Sequence, residues 1–303
     1  SVHLNQCVHQ GVIQSSGDKI GGLVGSLDAI GSVTNSYNLG QVNGGRETGG
    51  LVGYAYQNAE ISQSFNVGAV VGADYTGGLV GRLRSNITVA NTFNTGHVSS
   101  SSSDYVGGLV GFSDSSSVVN SSFSSGKVSG LGISGGLMGH AIDLSVRNSY
   151  WAIDTSTQDT SGATSEESSY VGLYLSVLQC PLLASTNAFN SECVSSDGVI
   201  ENLDNPVTLF YQWDENIWDF GDENQLPALI LSGVIFRDSD GDGKLDLHDA
   251  SPYDHDDSTS SHEGSVPDGE VAGSNVPWFL LLVLFSVLFR TSRKRGIKES
   301  TQR

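Results

Sequence analysis

Across residues 1–150 the apolar positions recur as a short repeated phrase with no helical period. Gly-Gly-Leu-Val-Gly occupies residues 21–25, 49–53, 77–81 and 107–111, and Gly-Gly-Leu-Met-Gly occupies 135–139, so the first glycines are 28, 28, 30 and 28 residues apart. A second set of markers keeps the same interval: Gly40, Gly68, Gly96 and Gly126 each follow Tyr37, Phe65, Phe93 or Phe123 by three residues. Self-similarity at a fixed period of this length marks a stacked repeat architecture.

Each period reads as three short strands. The first is the Leu-Val pair between glycines. The second carries β-branched and aromatic residues four apart: Val33 with Tyr37, Ile61 with Phe65, Val89 with Phe93, Val119 with Phe123, Val146 with Tyr150. An even separation predicts that both side chains share one face of a strand. The third follows the marker glycine, with Val42, Val70, Val98 and Val128 in register. One such turn cannot bury an apolar face, but turns stacked about 4.8 Å apart place equivalent residues in columns. The expected fold is therefore all-β, a parallel β-solenoid of about 28 residues per turn. Leu23, Leu51, Leu79, Leu109 and Leu137 would form one core column. Asn35, Gln63, Asn91, Ser121 and Asn148 would form a hydrogen-bonded ladder between the β-branched and aromatic columns. The repeated glycines are expected at corners that need positive φ or close backbone approach.

On these five phrases the chain resembles the GLUG-motif repeat family of bacterial surface and secreted proteins. The resemblance covers about residues 1–150. It implies an adhesin-like extracellular architecture and transfers no catalytic residue.

Past Tyr150-Trp151 the beat stops. Residues 151–235 hold Tyr170, Trp213, Trp218, Phe220 and Leu226-Pro-Ala-Leu229 and read as a C-terminal capping region, because the last turn of a solenoid exposes an open core and a sheet edge. Their order, Asn-Ser-Tyr-Trp, then Trp-Asp-Phe-Gly, then Leu-Pro-Ala-Leu, is similar to the tails that follow these repeats in the family. Cys180 and Cys193 flank a loop-like stretch here, and in an oxidising compartment a bridge between them would contribute about 3 kcal/mol. Cys7 falls where the next repeat has Ser36 and reads as a small buried residue. The chain begins on a repeat remnant without Met, which predicts further sequence upstream.

Residues 236–257 contain the strongest chemical signal. Asp238, Asp240, Asp242, Asp246 and Asp249 stand at positions 1, 3, 5, 9 and 12 of a twelve-residue loop, with Gly243 at 6 and the carbonyl of Lys244 at 7. This spacing wraps hard oxygen ligands around Ca²⁺. No amphipathic helix flanks it and Pro252 follows, so the context resembles a thrombospondin type 3 or dockerin-like calcium repeat that stiffens a linker.

Residues 258–275 turn to Ser, Gly, Asp and Glu and read as a disordered linker. Val276 to Phe289 is apolar apart from Ser286, with Trp278 near one end and Arg290, Arg293, Lys294, Arg295 and Lys298 after the other. Residues 276–303 are thus expected to be a transmembrane segment with a basic cytoplasmic tail, although fourteen helical residues span only about 21 Å. The arrangement resembles a GlyGly-type sorting signal of Gram-negative bacteria, processed by a rhomboid-like protease. Ala272-Gly273-Ser274 stands where that pattern has two glycines, and would be the cleavage site.

Composition narrows the function. The net charge is −19, and the last fourteen residues hold six Lys/Arg against one Glu, leaving 8 basic and 32 acidic residues in the body. Such a body repels nucleic acid. Three cysteines are too few for a disulfide scaffold. Gly132-Ile-Ser134-Gly-Gly136 and Gly130-Leu-Gly132-Ile-Ser134-Gly135 match a nucleophile elbow and a dinucleotide fingerprint, but both chemistries require a strand running into a helix. Asp18, Arg46, Asp74 and Asp104, one per turn, predict a charged stripe along one corner. The expectation is a non-enzymatic, membrane-anchored or secreted surface protein that binds glycan or another surface protein. The alternative is the stalk of an extracellular enzyme acting on protein or polysaccharide.

Overall fold

The computed structural model describes residues 1–255 except 103–104, 115, 163–167, 181, 184–187, 190–198, 201–206 and 223. Residues 1–150 form a parallel β-solenoid of about five turns, whose strands stack into four parallel sheets. In one turn the strands are Thr48–Gly49, Val52–Tyr56, Glu60–Asn66 and Val70–Gly72. Each pairs in parallel register with its equivalent 28 residues on: Thr48 with Thr76, Val52 with Val80, Ile61 with Val89, Phe65 with Phe93, Val70 with Val98. The fourth strand arises because the chain bends at Gly50-Leu51, so a Thr-Gly strand ends on the first glycine of the phrase and a longer one starts at its Val. Leu51, Leu79, Leu109 and Leu137 point inward from that bend and are fully buried, as expected of the column, whereas Leu23, in the first turn, is only partly buried.

The long strand departs from the expected alternation. Asn35, Gln63, Asn91, Ser121 and Asn148 all adopt left-handed φ, between 45° and 53°. One left-handed residue resets which face the next side chain takes. Ile61 and Val89 consequently pack with the leucines, whereas Phe65, Phe93, Phe123 and Tyr150 belong to a separate cluster with the C-terminal segment. The hydrogen-bonded amide ladder lies three residues later and is buried: Asn38 Nδ2 donates to Asn66 Oδ1 at 2.6 Å, and Asn66 Nδ2 to Asn94 Oδ1 at 2.7 Å.

That ladder explains the second glycine of the phrase. A Cβ on Gly50 would sit 2.5 Å from the Asn66 side-chain carbon and 2.2 Å from the Gly78 carbonyl oxygen. Close approach is the reason, not positive φ, since among the described residues the positive-φ glycines are Gly162, Gly221, Gly233, Gly241 and Gly243, all outside the repeats.

Residues after 150 do two things. Thr160 and Ser161 offer carbonyls to the N–H groups of Gly136, Leu137 and Met138, and Ser168–Leu173 pairs with Leu144–Ala152, which covers the end of the stack. The chain then runs back along the flank over the aromatic column. Phe210 meets Tyr150, Trp213 meets Phe123, Trp218 meets Phe93 and Phe123, and Phe236 meets Phe65 and Tyr37. A small antiparallel sheet of Trp218–Asp219, Ala228–Leu231 and Val234–Phe236 carries this cover. The segment expected to plug an open end is therefore also a lateral lid, because the left-handed residues turn the aromatic column outward.

Candidate functional site

The acidic loop leaves the cover at Phe236. Asp238 accepts hydrogen bonds from the N–H groups of Gly241 at 2.8 Å and Gly243 at 2.9 Å, Asp240 from Asp242 at 3.2 Å, and Asp242 from Lys244 at 2.8 Å. These side-chain-to-backbone turns curl the chain around its own carboxylates. Gly241 and Gly243, at φ +73° and +92°, supply the conformations that tight curl requires. Oxygens of Asp238, Asp240 and Asp242 come within 4.8 Å of one another. Asp238 and Asp240 are only 2% exposed, and the Asp242 side chain is fully covered.

Burial pushes the Asp238 carboxyl well above the usual range, against the Thr95 hydroxyl, which pulls it down; the charges of Asp242 and Asp240 add to the rise. Burial also raises Asp240, and burial with the Asp240 charge raises Asp242 to about 6. The nearby Lys244 Nζ, 3.2 Å from Asp242 Oδ2, offsets one of these charges from the rim. Asp240 Oδ2 and Asp249 Oδ2 are buried without a well-formed hydrogen bond. Crowded, buried, partly unpartnered carboxylate oxygens are what a hard divalent cation takes as ligands, so the residues fit calcium.

The five aspartates are not equivalent. Both oxygens of Asp246 are held by Ser239, through its N–H and its hydroxyl at 2.7 Å each, so this residue closes the loop. Asp249 accepts the Ser251 N–H on Oδ1, and its charge raises Asp240, but neither it nor Asp246 belongs to the converging group of Asp238, Asp240 and Asp242. His248 is exposed. Arg237 is buried beside the loop and pairs with Asp219 and the Leu226 carbonyl. Thr95, Arg237 and His255, whose Nδ1 donates to the Asp240 carbonyl at 2.9 Å, are site neighbours that spacing within the loop could not reveal.

The expected stripe forms in part. Arg46 bonds Asp74 at 3.1 Å at an exposed corner, while Asp104 lies outside the described residues. A denser cluster sits one column further along. Arg82 joins Glu47, at 3.0 Å, to Asp114, and stacks over the rings of Tyr75 and Phe112. Tyr105 and His140 continue the stack at 4.9 Å. Glu47 is nearly buried and sits at φ 56°. Ser134 lies in the strand Ser134–Gly135 and is followed by another strand, Met138–Ala141, so the elbow and dinucleotide patterns lack their helix.

Cys180 is buried and disulfide-bonded; Cys193, expected as its partner, lies outside the described residues. Cys7 is a free, half-buried thiol whose N–H donates to the Ser36 hydroxyl at 3.0 Å. The linker, the apolar run Val276 to Phe289 and Ala272, Gly273 and Ser274 also lie outside the described residues. Among the described residues no helix is long and apolar enough to cross a membrane. No protein-family model, curated protein or solved structure matches this chain.

Proposed function

We propose that this chain is a non-enzymatic, calcium-stabilised repeat scaffold of the adhesin type, displayed on or released from the surface of a Gram-negative bacterium. The observation that carries the reading is the convergence of Asp238, Asp240 and Asp242 within 4.8 Å in a buried loop. Modules of this kind bind calcium at about 10⁻⁴ to 10⁻³ M, which only an extracellular medium supplies. The disulfide at Cys180 supports the same compartment. Against an enzyme stands the engagement of Glu47 and Asp114, at the ring-lined corner, as joint partners of Arg82. The five repeated phrases that resemble GLUG-motif surface proteins support the same reading, in which Val276 to Phe289 with its basic flank would serve as a transient membrane anchor cleaved near Ala272–Ser274.

Isothermal titration of the full chain with calcium tests the central element. One site is expected, and Asp240→Ala with Asp242→Ala should abolish it; equal uptake by that double variant would reduce the loop to a diffuse counterion tract. Intact-mass measurement of the extracellular protein tests the sorting element, since a mass that includes Val276 to Arg303 leaves a plain anchor.

A further inference from the structure

The acidic loop is pressed onto the solenoid. Val67, Thr95 and Ser125 occupy one register on three consecutive turns, each just before a marker glycine. A Cβ on Gly243 would lie 3.2 Å from the Val67 carbonyl oxygen and 3.5 Å from that of Thr95, and one on Gly241 would lie 2.6 Å from the Ser125 hydroxyl. The column is apolar at Val67 and turns to hydroxyls at Thr95 and Ser125, where the loop rests.

Two observations there point to a cation. Asp240, 2% exposed, leaves Oδ2 without a well-formed hydrogen bond among carboxylates within 4.8 Å. Thr95, also 2% exposed, sets its hydroxyl against Asp238, and the Ser125 hydroxyl, fully buried beside Gly241, has no hydrogen-bond partner. Buried polar atoms left this way are uncommon unless a ligand or water completes them.

We propose that the cation site is shared between the loop and the solenoid, so that calcium clasps the aromatic cover onto the phenylalanine column. The inference rests on the calcium reading above and adds a mechanical consequence to it. Asp238 joins the two sides: its carboxylate ties the loop through Gly241 and Gly243 and lies against Thr95 of the solenoid. The same loop is fastened to the cover, since Ser239 offers its carbonyl to the N–H of Leu226 and to Gln179 Nε2 at 2.9 Å. A cation that neutralises the crowded carboxylates removes the repulsion that opposes docking. Binding and docking are then linked, and each must strengthen the other by the same factor.

Hydrogen exchange of the full chain, with calcium or with a chelator, reads the clasp at Trp218–Phe236, which lies outside the loop. Calcium should slow exchange there by about tenfold or more while leaving Ile61 and Val89 in the solenoid unchanged. Thr95→Val, which keeps the shape and removes the hydroxyl, should weaken calcium binding by about fivefold or more. Trp218→Ala, twenty residues from the loop and packed against Phe93, should weaken it likewise, and serves if Thr95→Val does not fold. Calcium bound with unchanged exchange at Trp218–Phe236, or with wild-type affinity in both variants, overturns the clasp and leaves the calcium reading standing. Absence of calcium binding by the wild-type chain overturns both.

Discussion

Phe65 and Phe93 stack with ring centroids 4.6 Å apart and planes within 4°. The spacing is that of adjacent parallel strands, so the rings are held by backbone register and not by their own preference for offset contact. Tyr37 and Phe123 extend the column to both sides, at 4.7 and 5.2 Å. Four rings in a row form a continuous apolar ridge, and the C-terminal cover exists to bury it.

Phe93→Ala should therefore cost about 3–5 kcal/mol, because it opens a cavity between Phe65, Phe123 and Trp218. Urea denaturation measures it. A loss below about 1 kcal/mol would mean that the cover contributes little to holding the solenoid.

Gly50→Ala should destabilise by about 2–3 kcal/mol or more, since the new methyl meets the Gly78 carbonyl oxygen and the Asn66 amide, neither of which can retreat. A thermal melt indistinguishable from wild type would remove close approach as the reason for the repeated phrase.

Gln63 sits at φ 46° without the side chain best suited to it. Gln63→Asn should be neutral or stabilising by a few tenths of a kcal/mol, and Gln63→Val should cost about 1–2 kcal/mol, because β-branching disfavours the left-handed region. Denaturation midpoints in the reverse order would argue against the left-handed kink.

Arg82→Ala should cost about 3–5 kcal/mol by leaving the nearly buried Glu47 without its cation. Asp74→Asn should change stability by less than about 0.5 kcal/mol, since its partner Arg46 is more than half exposed. Comparable losses for both substitutions would show that exposure does not separate the two ion pairs.

The period, the parallel stacking and the core columns of Leu and Val were legible in the chain, because identical residues at 28-residue intervals can bury an apolar face only by stacking on themselves. The acidic loop was legible too: its curl is made by local Asp-to-backbone hydrogen bonds and two glycines, all within seven residues. Which way the aromatic column faces was not. It depends on a left-handed φ at Asn35, Gln63, Asn91, Ser121 and Asn148, and an alternation rule that assumes extended backbone cannot register it. The buried ladder through Asn38, Asn66 and Asn94, the Glu47–Arg82–Asp114 cluster and the contact of Thr95 with Asp238 likewise join residues on different turns or distant segments. Local pattern determines what each turn is made of; only the folded stack, by bringing those turns and the returning chain together, decides which polar groups meet and what lies beneath the cover.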